Sequence, residues 1–218
     1  KYRLVGSEMC IRDSGEIHLY PPNHQTQRLN GLKPYQIAQL GVARTFQSIR
    51  LYEKQSVLEN VMMGRQIRTK ASMLGVLLRD RRTRAEEQHI REDSFQLLQR
   101  LELEQYAQVT ADSLPYAAQR RLEIARALAT DPFLLLLDEP AAGMNRQETE
   151  ELNELLVELR KEFQLTLLLI EHDLQLVMKL SDRIIVLDHG RKIAEGSPQA
   201  IRQHPDVIRA YLGEQATS

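Results

Sequence analysis

The strongest constraint on the fold is a run of five apolar residues, Phe133-Leu134-Leu135-Leu136-Leu137, that stops abruptly at Asp138-Glu139-Pro140. Apolar at every position, the run has no face for water, so it predicts a strand buried on both sides within a parallel sheet. Upstream, after Ala111-Asp112-Ser113, a helix runs through Arg120, Leu122, Ile124, Ala125 and Leu128 and is stopped by Asp131-Pro132. Downstream come an acidic helix from about Arg146 to Phe163, a strand Leu165 to Ile170, a helix Leu174 to Leu180 and a strand Ile184 to Leu187. Strands alternating with helices predict an α/β fold whose parallel sheet is covered on both faces. Asp188-His189-Gly190-Arg191 is a turn into a short returning strand, and two small helices finish the pattern.

The first half reads differently. Lys33-Pro34 followed by Ile37, Ala38 and Leu40 predicts a short helix opened by proline and closed by Gly41, with Arg44-Thr45-Phe46-Gln47 following as a strand or strand end. Between Ser56 and Leu103 the spacing is helical, with Val57, Leu58, Val61 and Met62 on one face and Phe95, Leu97, Leu98 and Leu101 on another. A helical lobe is therefore expected over about 55–130. Its mixed-charge stretch, Arg79-Asp80-Arg81-Arg82-Thr83-Arg84-Ala85-Glu86-Glu87, carries both signs and reads as a solvated surface rather than a nucleic-acid patch. Ser14 to Tyr20 alternates like a strand after a turn. The residues before it, Lys1 to Asp13, show no period, and Glu8-Met9-Cys10-Ile11-Arg12-Asp13 resembles the translation of a transposase end used in preparing sequencing libraries. Residues 1–13 are thus expected to be foreign, 14–213 to form the domain and 214–218 a tail.

Composition removes several functions. Cys10 is the sole cysteine of 218 residues, so neither a disulfide framework nor a cysteine-based zinc site is expected. A net charge of -1 supplies no global basic field, and no nucleic-acid partner is expected. The apolar stretches fall short of the roughly 18 residues of a membrane span, so any membrane role is peripheral.

The chemistry centres on Asp138-Glu139. A carboxylate at the C-terminal end of a parallel strand faces the crevice where α/β sheets bind ligands, and can hold Mg²⁺ directly or through water. Its neighbour can then polarise an attacking water. Strand ends are also where acids return to solvent, so the pair alone leaves both readings open.

The surrounding segments carry a resemblance that decides between them. Leu134-Leu135-Leu136-Leu137-Asp138-Glu139-Pro140 resembles the Walker B motif of ABC-type ATPases, and four companions follow the family's order along 15–213. Gln47 matches the Q-loop glutamine. Leu114-Pro115-Tyr116-Ala117-Ala118-Gln119 stands in the place of the ABC signature, Ala141-Ala142-Gly143-Met144-Asn145 matches the D-loop, and His172 matches the switch histidine. The resemblance implies a P-loop NTPase domain with a RecA-like parallel core and an α-helical subdomain, acting with ATP and Mg²⁺. It implies Asp138 and Gln47 at the metal, Glu139 as general base, Gln47 beside the attacking water and His172 at the γ-phosphate. Signature residues 114–119 and the D-loop Asn145 would serve the nucleotide held with a partner subunit. Phosphoryl transfer asks for charge neutralisation and an in-line water more than for covalent chemistry, which suits those roles.

Two departures from the family pattern stand out. The general signature is Leu-Ser-Gly-Gly-Gln; here Pro115 offers neither hydroxyl nor N–H, and Ala117 replaces a phosphate-facing glycine, so Ala117→Gly is expected to raise turnover. Further, no glycine of the sequence begins a Gly-x-x-x-x-Gly-Lys-Ser/Thr loop, the usual phosphate cradle. Truncation at the foreign-looking 1–13 segment is the expected cause: the domain is incomplete at its N-terminus, and the chain as written is expected to bind ATP poorly or not at all.

Within the family the likeness is to ATP-binding subunits of branched-chain amino acid importers. It rests on Gly41 to Gln47, Gln119 to Arg126, Glu139 to Asn145, and the tail Pro205-Asp206-Val207-Ile208-Arg209-Ala210-Tyr211-Leu212-Gly213. Implied partners are two membrane permease subunits, a second ABC ATPase subunit and, indirectly, a periplasmic binding protein, at the cytoplasmic face of the bacterial inner membrane. A lipopolysaccharide-export ATPase, a urea-import ATPase and a nucleotide-binding-deficient fragment are the alternatives.

Overall fold

The computed structural model describes residues 15–22, 25–66 and 81–215. Residues 1–13, read above as foreign, and Arg79-Asp80 of the mixed-charge stretch lie outside them. A small antiparallel pair, β1 (His18–Leu19) and β2 (Gln27–Arg28), precedes the main body. The alternation read over 14–20 thus yields a strand of only two residues. Helix α1 (Pro34–Gln39) opens on Pro34, whose fixed φ and missing N–H suit a first turn. It ends at Leu40, and Gly41 takes φ +89°, turning the chain into β3 (Val42–Arg44).

The helical lobe consists of α2 (Val57–Arg65), α3 (Arg81–Arg100) and α4 (Tyr116–Leu128). Ser56 caps α2 by accepting from the Glu59 N–H at 3.2 Å, while the Glu59 carboxylate accepts from the Ser56 N–H at 2.8 Å. The Ser56 N–H and then the Ser56 hydroxyl, both donating to the Glu59 carboxylate, hold that carboxyl below its usual range. Helices α2 and α4 approach so closely at Gly64 that a Cβ there would stand 2.3 Å from the Arg126 carbonyl oxygen. The mixed-charge residues from Arg81 onward lie in the first turns of α3, where Arg84, Ala85 and Glu87 are exposed, as a solvated surface requires.

The second half follows the predicted alternation: β4 (Leu134–Asp138), α5 (Arg146–Glu162), β5 (Thr166–Ile170), α6 (Leu174–Leu180), β6 (Ile184–Asp188), β7 (Arg191–Gly196), α7 (Pro198–Arg202) and α8 (Pro205–Gln215). Strands β3, β4 and β5 form a parallel sheet in that order, with Ala43 opposite Leu135 and Leu135 opposite Leu167. One core runs through lobe and sheet, joining Val57, Leu98, Leu101, Leu122 and Ile124 to Leu135, Leu137, Leu152, Leu156 and Leu176.

Two expectations about the sheet are corrected. Strand β6 does not extend the parallel sheet; it pairs antiparallel with β7, Ile184 opposite Gly196. Nor are both faces covered among the described residues, because Leu168 and Ile170 of β5 and Ile185 and Leu187 of β6 are each more than half exposed. An apolar sequence registers a preference for burial, whereas burial itself needs a covering element.

Candidate nucleotide site

The predicted catalytic residues gather at the C-terminal ends of β3, β4 and β5. Parallel pairing sets this up, since Arg44 stands opposite Leu136 and Asp138 opposite Ile170, so the three chains leave the sheet side by side. Past the strand, the Glu139 N–H still donates to the Ile170 carbonyl at 2.9 Å. Glu139 itself sits at φ +45°, a left-handed conformation that costs a non-glycine residue on the order of 1 kcal/mol. That turn carries its side chain to Gln47, whose Nε2 donates to Glu139 Oε2 at 2.8 Å. Gln47 and Glu139, 92 positions apart in sequence, are therefore in direct contact.

Asp138 is partly buried and its Oδ2 accepts from Arg44 Nη2 at 2.9 Å. Arg44 also lies over the Phe46 ring at 5.0 Å, with Arg50 over it at 4.2 Å. No group of three or more His, Cys, Asp or Glu side chains among the described residues could cage a metal. Magnesium does not need such a cage, because one or two carboxylates with phosphate oxygens and waters complete its shell. Asp138, which already draws a guanidinium to its carboxylate, fits that requirement as the protein's ligand.

His172, on the chain leaving β5, is largely exposed, and the side chain before it is the buried one: Glu171 is 1% exposed. Glu171 accepts from the Ala141 N–H at 3.1 Å and from the His172 N–H at 3.2 Å, so a single carboxylate anchors the turn after Glu139 and the backbone of His172. Asp173 then caps α6 by accepting from Gln175 and Leu176 N–H. The role of Glu171 was not read from the sequence. Its partners lie 30 residues away and next door, and the only signal was an acid directly after an apolar strand.

The signature residues divide. Pro115 is the N-cap residue and Tyr116 opens α4, so the proline sits just outside the helix, where its lack of an N–H removes nothing from the ladder. Tyr116 is exposed and Ala117 and Ala118 are half-buried, at a helix N-terminus able to attract anions. Leu114, by contrast, is 5% exposed in the core, and the Gln119 side chain turns back to donate to the Leu114 carbonyl at 2.9 Å. Asn145 caps α5, accepting from the Glu148 N–H at 3.0 Å while its own N–H donates to Glu148. Behind the signature, Arg120 and Glu123 form a buried pair at 2.9 Å whose remaining contacts reach the Gln47 loop. An exposed pair, Lys54 with Asp112 at 2.6 Å, ties the same region from outside; their mutual hydrogen bond raises the lysine above its ordinary 10.5 and lowers the aspartate below 3.8.

The fold recurs in solved proteins. An ATP-binding cassette of an ABC transporter in its ADP conformation superposes with TM-score 0.69 at 29% identity, over 86% of this chain and 74% of that one. A dimeric post-hydrolysis ATP-binding cassette bound to ADP and Pi gives 0.67 at 25% identity, over 85% and 74%. The high-affinity branched-chain amino acid transport ATP-binding protein LivG of Escherichia coli K12 is 47% identical over 213 residues, 98% of this chain and 78% of its own length. The corresponding protein BraF of Pseudomonas aeruginosa is 43% identical over 188 residues, 86% of this chain and 74% of its own length. A family model described as branched-chain amino acid ATP-binding cassette transporter matches residues 191–217, and the ABC transporter model matches residues 4–142. With that model spanning well over half of the chain and relatives of this identity, the protein belongs to the ABC transporter family of ATP-binding proteins.

Proposed function

We propose that the chain is the ATP-binding and ATP-hydrolysing subunit of an importer of branched-chain amino acids, working peripherally at the cytoplasmic face of a bacterial inner membrane. The observation that carries the reading is the convergence of Asp138, Glu139, Gln47 and the backbone of His172 at adjacent strand ends. Names of the relatives and the match over 191–217 support the substrate class. Two permease subunits, a second ATPase subunit and a periplasmic binding protein complete the assembly.

In this reading Asp138, here paired with Arg44, would hold Mg²⁺, which would supply charge neutralisation at the nucleotide phosphates. Glu139 accepts the proton of the attacking water, and the Gln47 amide, already bonded to the Glu139 carboxylate, fixes that carboxylate's orientation and helps to place the water and the metal. His172 reaches from the Glu171-anchored turn to the γ-phosphate and orients it. The N-terminal turn of α4, with Pro115, Tyr116, Ala117 and Ala118, presents its N–H groups to nucleotide held by the partner subunit, whereas the buried Leu114 and inward-turned Gln119 support that turn from behind. Asn145 holds the start of α5 at the same subunit boundary.

For the transport assignment, the test is purification of the tagged protein from native membranes. Recovery with two polytopic permeases encoded beside its gene supports the proposal; recovery of lipopolysaccharide-export or urea-import membrane subunits would replace it. Genomic DNA across the codons for Asp13 to Gly15 tests whether 1–13 belong to the gene.

A further inference from the structure

Arg120 and Glu123 lie three residues apart on α4 and therefore on one face, and that face is the buried one, with side chains 0% and 2% exposed. Opposite charges taken out of water are tolerated only when their remaining donors and lone pairs are used. Here every side-chain polar atom of the pair except Arg120 Nε has a partner, most of them on the backbone of another segment. Arg120 Nη1 donates to the Phe46 carbonyl at 2.7 Å and to Glu123 at 2.9 Å, and Nη2 donates to the Gln47 carbonyl at 2.9 Å. Glu123 Oε1 accepts from the Phe46 and Arg50 N–H groups, each at 3.4 Å.

The network continues to the other side of the site. Arg120 Nη2 also donates to the Tyr116 hydroxyl at 3.3 Å, and that hydroxyl donates to the Ala142 carbonyl at 2.9 Å. The Tyr116 ring lies against Gly143, where a Cβ would stand 3.2 Å from it and where φ is +80°. With Gln47 bonded to Glu139, the contacts close a ring: the Gln47 backbone, Arg120, Tyr116, the Ala142 turn, Glu139 and the Gln47 side chain.

We infer that Arg120, Glu123 and Tyr116 are positioning residues that lock the Gln47 loop and the turn after Glu139 to the same end of α4, so that a displacement of α4 moves both together. The meaning of this coupling for hydrolysis rests on the function proposed above, but the coupling exists without nucleotide and is tested without it.

Tyr116→Phe removes one hydroxyl and leaves the ring. In amide hydrogen exchange on the purified 218-residue chain, the variant is expected to exchange about fivefold faster at 141–144 and also at 46–50, the factor matching loss of one ordinary hydrogen bond, with α5 unchanged. Glu123→Gln is expected to speed exchange at 141–144, a segment Glu123 does not touch. Faster exchange confined to the mutated residue's direct partners, or spread equally over α5, would overturn the coupling. In the transporter complex, Tyr116→Phe is expected to lower kcat with KM for ATP unchanged; a rise in KM alone would mark a nucleotide contact and overturn the positioning role. A complex without ATPase activity in the unmutated form would sink the proposed function while the exchange result still decides the coupling.

Discussion

Strands β4 and β5 have nearly the same sequence, Leu-Leu-Leu-Leu-Asp and Thr-Leu-Leu-Leu-Ile, and are paired along their full length, yet they live in different surroundings. In β4, Leu135 and Leu137 are each 1% exposed, whereas in β5 Leu168 is 52% and Ile170 57% exposed. The ends differ in the opposite sense. Strand β4 ends in Asp138 and Glu139, partly open and held by Arg44 and Gln47, while β5 leads to a buried carboxylate, Glu171, that accepts from two backbone N–H groups and stands 3.7 Å from the His172 ring nitrogen. The strand with the dry interior thus ends in partly open acids, and the strand with the wet face leads to an acid spent on anchoring backbone.

That contrast can be broken by substitution, beginning where the expected effect is largest. Leu135→Ala removes a fully packed side chain and is expected to cost about 2–5 kcal/mol in urea denaturation. Glu171→Ala leaves the Ala141 and His172 N–H groups without their acceptor and should cost roughly 1–3 kcal/mol; in the same titration, a loss below that of Arg44→Met would show that β5 has no anchored end. Arg44→Met breaks a pair whose arginine is nearly half exposed, so a loss of no more than about 1 kcal/mol is expected in the same urea denaturation. Leu168→Ala is expected to fall within about 0.5 kcal/mol of the unmutated chain. A Leu168 effect equal to that of Leu135 would erase the difference between the two strands.

The sequence was most informative where local pattern and burial coincide. Pro34, Gly41, the α4 stretch ending before Asp131-Pro132, and the strand leading to Asp138-Glu139 all carry their signal within a few residues. It was least informative where the partner is distant. Nothing local marks Arg120 and Glu123 as a buried pair, since i,i+3 spacing looks the same in water as in a core, and their contacts reach carbonyls 73 and 74 positions away. Glu171 was invisible for the same reason. The pairing of β6 with β7 follows from a tight turn at His189-Gly190, both at positive φ, and the apolar run of β6 could not distinguish that hairpin from a further parallel strand. Likewise Leu114 and Gln119 carried the signature resemblance, but their side chains face the core and the Leu114 carbonyl.

The proposed mechanism turns on Glu139, oriented by Gln47, taking the proton of the attacking water. Glu139→Gln in the transporter complex, assayed for single-turnover ATP hydrolysis with nucleotide binding measured alongside, tests it directly. Hydrolysis slowed about 10²–10⁴-fold with nucleotide binding retained is expected; hydrolysis at the unmutated rate would remove Glu139 from that role.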